Sequence, residues 1–404
     1  MAIGVGGSTA EKELAKLSDM TADVKPITEA EFAARISRAQ ERMRDEGVAA
    51  TYVNAGTSLY YFTGTRWWPS ERMVGALIPA EGDIHYIAPA FEISTLKDFM
   101  CIEGAVHGWE EHESPYALFG GLLKDLGLGG KVALDEACPF FLSNGVAKAS
   151  PSTEFVDAKD IIAACRMRKS AAELAIMQRA KDMTLEVHKA AAAMLHEGIT
   201  TTEVTAFIHE AHKRVGAAGG SYFCIVLFGE ATAYPHGVKN PQTLKAGDMV
   251  LIDTGCDLLG YKSDITRSYV FGEASEKQRQ VWNHEKAAQA RAFEAAKLGT
   301  RCGDVDIAAR SLLEEYGYGP GYNVPGLPHR TGHGIGLDIH EWPYLVASDD
   351  TPLAPGMCFS NEPMLCLYGE FGVRLEDHFY MTEDGPKWFT EPSHSIDDPF
   401  GLAV

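Results

Sequence analysis

The sequence predicts a two-domain α/β protein, and three observations predict it. At 404 residues the chain is long for a single hydrophobic core. Up to residue 160, short strand patterns alternate with helical ones. From residue 161 to 404 the order helix, helix, strands occurs twice. We therefore place one α/β domain at 1–160 and a second at 161–404, built as a pseudo-repeat.

Residues 1–25 carry Gly, Ser, Lys and Asp and read as a loose arm. Thr28 and Glu31 have capping-box spacing, and Phe32, Ile36, Ala39 and Met43 form the apolar face of the helix they open. Strands follow at Val48–Val53, Met73–Ile78 and Ile84–Ala88, the last two joined by the turn residues Pro79–Asp83. A helix over Pro115–Leu126 and a strand over Val132–Asp135 complete the unit, with one further helix. Trp67 and Trp68, in an aromatic stretch, read as core or as the wall of a pocket or interface. A charged crossing over 157–169 leads to a long helix, Ala171–Leu195, with Leu174, Met177, Met183 and Val187 on one stripe. A helix at Thr202–Val215 and strands at Tyr222–Leu227, Met249–Thr254 and Tyr261–Val270 end the first half. The second half repeats this with helices Lys277–Leu298 and Val305–Tyr316, then strands at Met357–Asn361 and Val373–Thr382.

Composition narrows the function classes. With 36 Lys+Arg against 56 Asp+Glu, the net charge of −20 argues against nucleic acid or an anionic membrane as partner. No apolar run approaches the ~20 residues of a membrane span. The eight cysteines are scattered without a C-x-x-C pair, which reads as reduced thiols in a cytoplasmic protein.

Chemistry concentrates in residues 250–377. Asp253 and Asp264 lie on neighbouring strands, in Val250-Leu-Ile-Asp-Thr-Gly-Cys256 and Gly260-Tyr-Lys-Ser-Asp-Ile-Thr-Arg267. His333 lies in Thr331-Gly-His-Gly-Ile-Gly336, Glu362 in Phe359-Ser-Asn-Glu-Pro363, and Glu376 in Gly372-Val-Arg-Leu-Glu-Asp377. Each alone reads plainly as a cap, a turn or a strand end. Together, four carboxylates and an imidazole between apolar strands make a ligand set for two divalent ions. Oxygen-rich coordination points to Mn²⁺ first, then Co²⁺ or Zn²⁺. Other patterns fall short: His209-Glu-Ala-His212 lacks the H-E-x-x-H spacing and reads as a solvated helix face, and no G-x-S-x-G elbow occurs.

These motifs resemble the "pita-bread" metallopeptidases, the creatinase, prolidase and aminopeptidase P group. They comprise Asp253-x-Gly with Gly260-Tyr-x₂-Asp264-x-Thr-Arg267, Gly332-His-Gly-Ile-Gly-x₃-His340-Glu341, Asn361-Glu-Pro363 and Gly372-x-Arg-x-Glu-Asp377. The likeness is closest to the proline-specific members and covers most of the chain, including Tyr61-Phe-Thr-Gly64 and Arg166-Met-Arg-Lys-Ser170. It implies a creatinase-like N-terminal domain followed by a pita-bread catalytic domain, assembled as a homodimer. It also implies that Asp253, Asp264, His333, Glu362 and Glu376 hold two metal ions, with Asp264 and Glu376 bridging. A hydroxide between the ions would attack the scissile carbonyl and Glu362 would take its proton. His236 and His340 would steady the tetrahedral intermediate, with His329 and Arg374 on the substrate side. The expected activity is that of an Xaa-Pro dipeptidase (prolidase) acting on small peptides with proline second. The alternative is an aminopeptidase P acting on Xaa-Pro-Yaa peptides; a non-catalytic binding module of this fold would have lost ligands. Two positions depart from the family pattern. Met364 stands where Gly usually follows Glu-Pro, and Cys366 where proline-specific members commonly carry Tyr.

Overall fold

The computed structural model describes residues 2–403. The chain divides into two compact units, Ile27–Arg166 and a second in which the chain up to Pro26 joins Met167 onward. The expected loose arm is ordered onto that second unit. It carries a short helix, α1 (Ala10–Lys16), capped by Thr9, and buries Ala2 and Val5. The reason is hydrogen bonding at helix ends, whose last carbonyls lack partners within the helix. Gly6 N donates to Ala192 O at 2.9 Å, Ser8 N to Ala193 O at 3.1 Å and Met20 N to Val215 O at 3.0 Å.

The Ile27–Arg166 unit runs α2 (Glu29–Glu46), β1 (Val48–Asn54), α3 (Thr57–Thr63), β2 (Gly75–Pro79), β3 (His85–Pro89), α4 (Ile93–Phe99) and β4 (Ala105–Trp109). It continues with α5 (Pro115–Asp125), β5 (Lys131–Leu134), α6 (Phe140–Ala149), β6 (Glu154–Asp157) and α7 (Lys159–Arg166). The strands form one sheet in the order β4-β3-β2-β1-β5-β6, antiparallel over β1–β3 and parallel toward both edges. Tyr52, Leu77, Ile87, Phe119, Val132 and Leu142 meet in its core. Trp67 packs edge-on to Phe99, whereas Trp68 is 89% exposed and is not core.

The second unit shows the two expected halves. The first is α8 (Ala171–Ala193), α9 (Thr201–Arg214), β7 (Ser221–Phe228), β8 (Met249–Leu258), β9 (Tyr261–Lys262) and β10 (Ile265–Val270). The second is α10 (Glu276–Ala295), α11 (Cys302–Glu315), β11 (Gly332–Gly334), β12 (Glu341–Leu345), β13 (Cys358–Asn361), β14 (Met364–Leu367), β15 (Phe371–Arg374), β16 (Asp377–Thr382) and β17 (Gly385–Trp388). Full capping boxes at Ser170/Glu173, Thr200/Glu203 and Ser275/Gln278 start α8, α9 and α10. The sheets are β10-β8-β7, with β9 on β8, and β12-β11-β13-β16-β17, beside the hairpin β14-β15.

Two expected strands each divide: Tyr261–Val270 into β9 and β10 at Ser263-Asp264, and Val373–Thr382 into β15 and β16. The run 373–382 breaks at Leu375-Glu376, where the chain leaves its pairing with β14 and joins β13. At that break Glu376 forms an isolated antiparallel bridge with Thr266, its N–H donating to Thr266 O at 3.1 Å. The two halves of the unit are therefore tied together at a predicted ligand. Among the described residues no helix is long and apolar enough to cross a membrane.

Candidate metal centre

Strand register brings the five predicted ligands together. Asp253 on β8 stands opposite Thr266 on β10. Asp264 precedes β10 and lies two residues from Thr266, on the same face of an extended chain. Thr266 in turn bridges to Glu376. Across β13 and β16, Ser360 pairs with His378 and Asn361 with Asp377, so continuing the register sets Glu362 opposite Glu376. His333 on β11 comes next to Ser360, whose Oγ accepts from its N–H at 2.9 Å.

The side chains then converge. His333 Nε2 is 3.0 Å from Glu362 Oε1 and 3.7 Å from Asp264 Oδ2. His333 Nδ1 lies 3.0 Å from Gly334 O. A proton on Nδ1 would be held there, leaving the Nε2 lone pair to a metal. Glu376 Oε2 accepts from Thr266 Oγ1 at 2.7 Å. Asp253 Oδ2 accepts from Arg374 Nη2 at 2.6 Å. The other oxygens, Asp253 Oδ1, Asp264 Oδ1 and Glu376 Oε1, are buried without a hydrogen-bond partner.

Three unpaired buried carboxylate oxygens in one place are costly, because a buried acceptor without a donor forfeits its hydration. The electrostatics say the same. Burial, then Glu376, Asp253 and Glu362, push Asp264 well above the usual carboxylate range. Burial, Glu362 and Asp253 do so for Glu376. Burial would also raise Glu362, but His333, His329 and Arg374 hold it below its ordinary value. Divalent cations would satisfy this donor set, since oxygen-rich coordination with imidazole suits first-row divalent ions. Among the described residues two clusters have ligand spacing, Asp264–Glu376–His378 and His333–Glu362–Glu376, with Glu376 in both.

The remaining predicted residues fall in different surroundings. Arg374 is buried, and its guanidinium is bonded to Asp253, to Thr266 Oγ1 at 3.2 Å and to Pro235 O at 3.2 Å. Burial works against its charge, but Asp253, Glu362 and Glu376 keep it ionised. His340 stacks edge-to-face on His333, centroids 4.3 Å apart. Burial of its ring, with His333 and Arg330, pushes it down to about 4, although the residue keeps an exposed side. His329 is half-buried with Nδ1 2.7 Å from Arg330 O, and burial lowers its pKa against the pull of Glu362. His236 is exposed, just past the short helical turn Gly229–Ala233. Cys366 is fully buried on β14, and burial pushes its thiol up to about 12, so it stays protonated and offers only a weak S–H donor where a tyrosine would offer a hydroxyl.

Several neighbours carry contacts to which the sequence motifs assign no role. Arg267 donates to Glu376 O at 2.9 Å and to Asp377 Oδ1 at 2.7 Å, all fully buried. Lys169 pairs with Glu341 beside His340. His378 lies on the sheet face of Glu376, and the two-residue spacing could have shown it. The pair His209/His212 is not a solvated face. His212 is fully buried between Thr184 Oγ1, 3.0 Å away, and Ser221 Oγ, 2.9 Å away, and His209 Nδ1 accepts from Ser221 N–H.

The chain as a whole has relatives among known proteins. Residues 175–383 match the family model "Metallopeptidase family M24" and residues 35–168 match "Creatinase/Prolidase N-terminal domain". The "Probable dipeptidase PepE" of Mycobacterium tuberculosis is 34% identical over 359 residues, 88% of this chain and 93% of that protein. The crystal structure of dipeptidase PepE from Mycobacterium ulcerans superposes with a TM-score of 0.85 at 32% identity, covering 92% of this chain and 98% of that one. A recombinant prolidase from Thermococcus sibiricus gives 0.81 at 29% identity, covering 89% and 97%.

Proposed function

Because the chain belongs to metallopeptidase family M24, we propose that it is a dinuclear-metal dipeptidase that hydrolyses the Xaa-Pro bond of dipeptides. The observation that carries the reading is that Asp253 Oδ1, Asp264 Oδ1 and Glu376 Oε1 are buried and unpartnered, while Asp264 and Glu376 offer ligand atoms in clusters with His378 and with His333 and Glu362. Prolidase specificity is supported by the likeness to the Thermococcus prolidase and by the motifs that this chain shares with proline-specific peptidases.

Asp253, Asp264, His333, Glu362 and Glu376 would hold the ions, which from the oxygen-rich set would be Mn²⁺, with Co²⁺ or Zn²⁺ as alternatives. Bound divalent ions supply a Lewis acid and make water a nucleophile at neutral pH. The protein does the rest. Glu362, the carboxylate held ionised, takes a proton from the attacking water and returns it to the leaving proline nitrogen. His340 and His236 donate to the oxygen that gains charge in the transition state, and His329 lines the substrate side. We assign Arg374 to positioning Asp253 rather than substrate, since that is where its fork is bonded. Free thiols support a cytoplasmic enzyme, and the family likeness a homodimer.

The test is proline release by metal-loaded protein from an Xaa-Pro dipeptide and an Xaa-Pro-Yaa tripeptide in parallel. Turnover of the dipeptide alone supports the proposal. Cleavage of the tripeptide would make the enzyme an aminopeptidase P, and no turnover of either with both ions bound would overturn proline specificity.

A further inference from the structure

We propose that His378 is a sixth protein ligand of the metal centre, joining Asp264 and Glu376 on one ion while His333 serves the other. The inference rests on the two-ion reading above and adds to it a residue outside the five-ligand set.

Three observations point to His378. First, its imidazole is fully buried, and both ring nitrogens lack any hydrogen-bond partner. A neutral imidazole carries one donor and one acceptor, and leaving both unmet in the interior is among the costlier things a core can do. The nearby ammonium of Lys181 donates to Lys262 O at 3.2 Å and makes no hydrogen bond to either ring nitrogen of His378.

Second, its Nε2 is 3.5 Å from Glu376 Oε1, which is itself unpartnered, as is Asp264 Oδ1. That gap is longer than a good hydrogen bond. It is the separation of two ligand atoms sharing one ion: at about 2.1 Å from the metal and a tetrahedral angle they stand about 3.4 Å apart. Asp264, Glu376 and His378 each offer an atom within 4.8 Å of the others.

Third, the sheet arranges a near-symmetric pair of imidazoles. Ser360 pairs with His378 on one side and lies beside His333 on the other, so both histidines share one sheet face. Each joins Glu376 in one of the two ligand clusters, one with Asp264 and one with Glu362. Nitrogen on both ions has a chemical consequence. It moves preference away from Mn²⁺, which favours all-oxygen sites, toward Co²⁺ or Zn²⁺.

The test uses the full-length protein loaded with Co²⁺. X-ray absorption at the cobalt edge of the wild type should count two imidazoles per pair of ions, one from each cluster. Equilibrium dialysis with metal analysis should show His378→Gln binding its weaker ion at least about 10–100-fold less tightly, the loss typical of disturbing even an outer partner. The same variant should regain preference for Mn²⁺ in competition. Two ions with a single imidazole in the wild type would overturn the assignment, whether or not the variant folds. Fewer than two ions in the wild type would overturn the two-ion reading and this inference with it.

Discussion

Arg267 and Asp377 form an ion pair at 2.7 Å with both side chains fully out of solvent, and the same guanidinium holds the backbone carbonyl of Glu376 at 2.9 Å. Asp377 also accepts from Gln289 at 3.1 Å and Thr390 at 3.2 Å. The pair thus pins the break between β15 and β16 from behind, with the Glu376 side chain on the other face. Removing one partner leaves a buried charge unmet. Asp377→Ala should cost about 3–5 kcal/mol in denaturant unfolding and weaken metal binding as well. Full stability in that variant would show that the clamp is dispensable.

Arg374 sets the orientation of Asp253 by one strong bond, Nη2 to Oδ2 at 2.6 Å. Lysine keeps the charge but loses the planar fork that also reaches Thr266 and Pro235. Arg374→Lys should therefore weaken metal affinity about 10–100-fold while leaving KM for a dipeptide nearly unchanged at saturating metal. A raised KM with intact metal affinity would return Arg374 to the substrate side.

Much of this was legible in the sequence for identifiable reasons. Helix starts are marked in the sequence by the capping boxes at Ser170, Thr200 and Ser275, and the candidate ligands by acidic residues that interrupt otherwise apolar strands. What stayed hidden depends on contacts far apart in the chain. The run 373–382 has the composition of one strand, and only its change of partner from β14 to β13 breaks it at Glu376. The first 26 residues have no apolar periodicity, and their order comes from helix-end carbonyls at Ala192, Ala193 and Val215, far along the chain. His212 follows Val204 and Ile208 at four-residue spacing on the buried stripe of α9, so its burial could be read from the periodicity, and only its partners Thr184 and Ser221 could not.

The clustered carboxylates predict opposite effects with and without metal. Burial and mutual repulsion raise Asp264 and Glu376, so the metal-free protein carries a destabilising charge cluster. Asp264→Asn should leave the metal-free protein at least as heat-stable as the wild type. The wild type should gain about 2.7 kcal/mol at a metal concentration 100 times Kd, and the variant should lose most of that gain along with activity. Thermal unfolding with chelator and with metal separates the two effects. Substantial turnover in the variant with metal content unchanged would overturn the two-metal assignment.

Acid should unfold the protein partly through His212. Burial, then His209, push its pKa from 6.5 down to about 3 in the folded state. Its ring is enclosed by Thr184 and Ser221, and neither offers a charge to hold a proton. Above pH 6.5 the imidazole is neutral whether folded or unfolded, so it contributes no pH dependence there. Below that value the unfolded chain takes up a proton that the folded chain refuses. Stability from this residue is therefore lost at about 1.4 kcal/mol per pH unit as pH falls from 6.5 toward 3. His188, lowered by burial and Arg267 to about 3, adds a second proton of the same sign. His212→Gln keeps a hydrogen-bonding side chain but cannot titrate. Urea unfolding of metal-free protein at pH 6.5 and 4.5 should show the variant losing about 2–3 kcal/mol less than the wild type over that interval. Equal losses would mean that His212 accepts its proton within the fold, and that Thr184 and Ser221 rearrange to allow it.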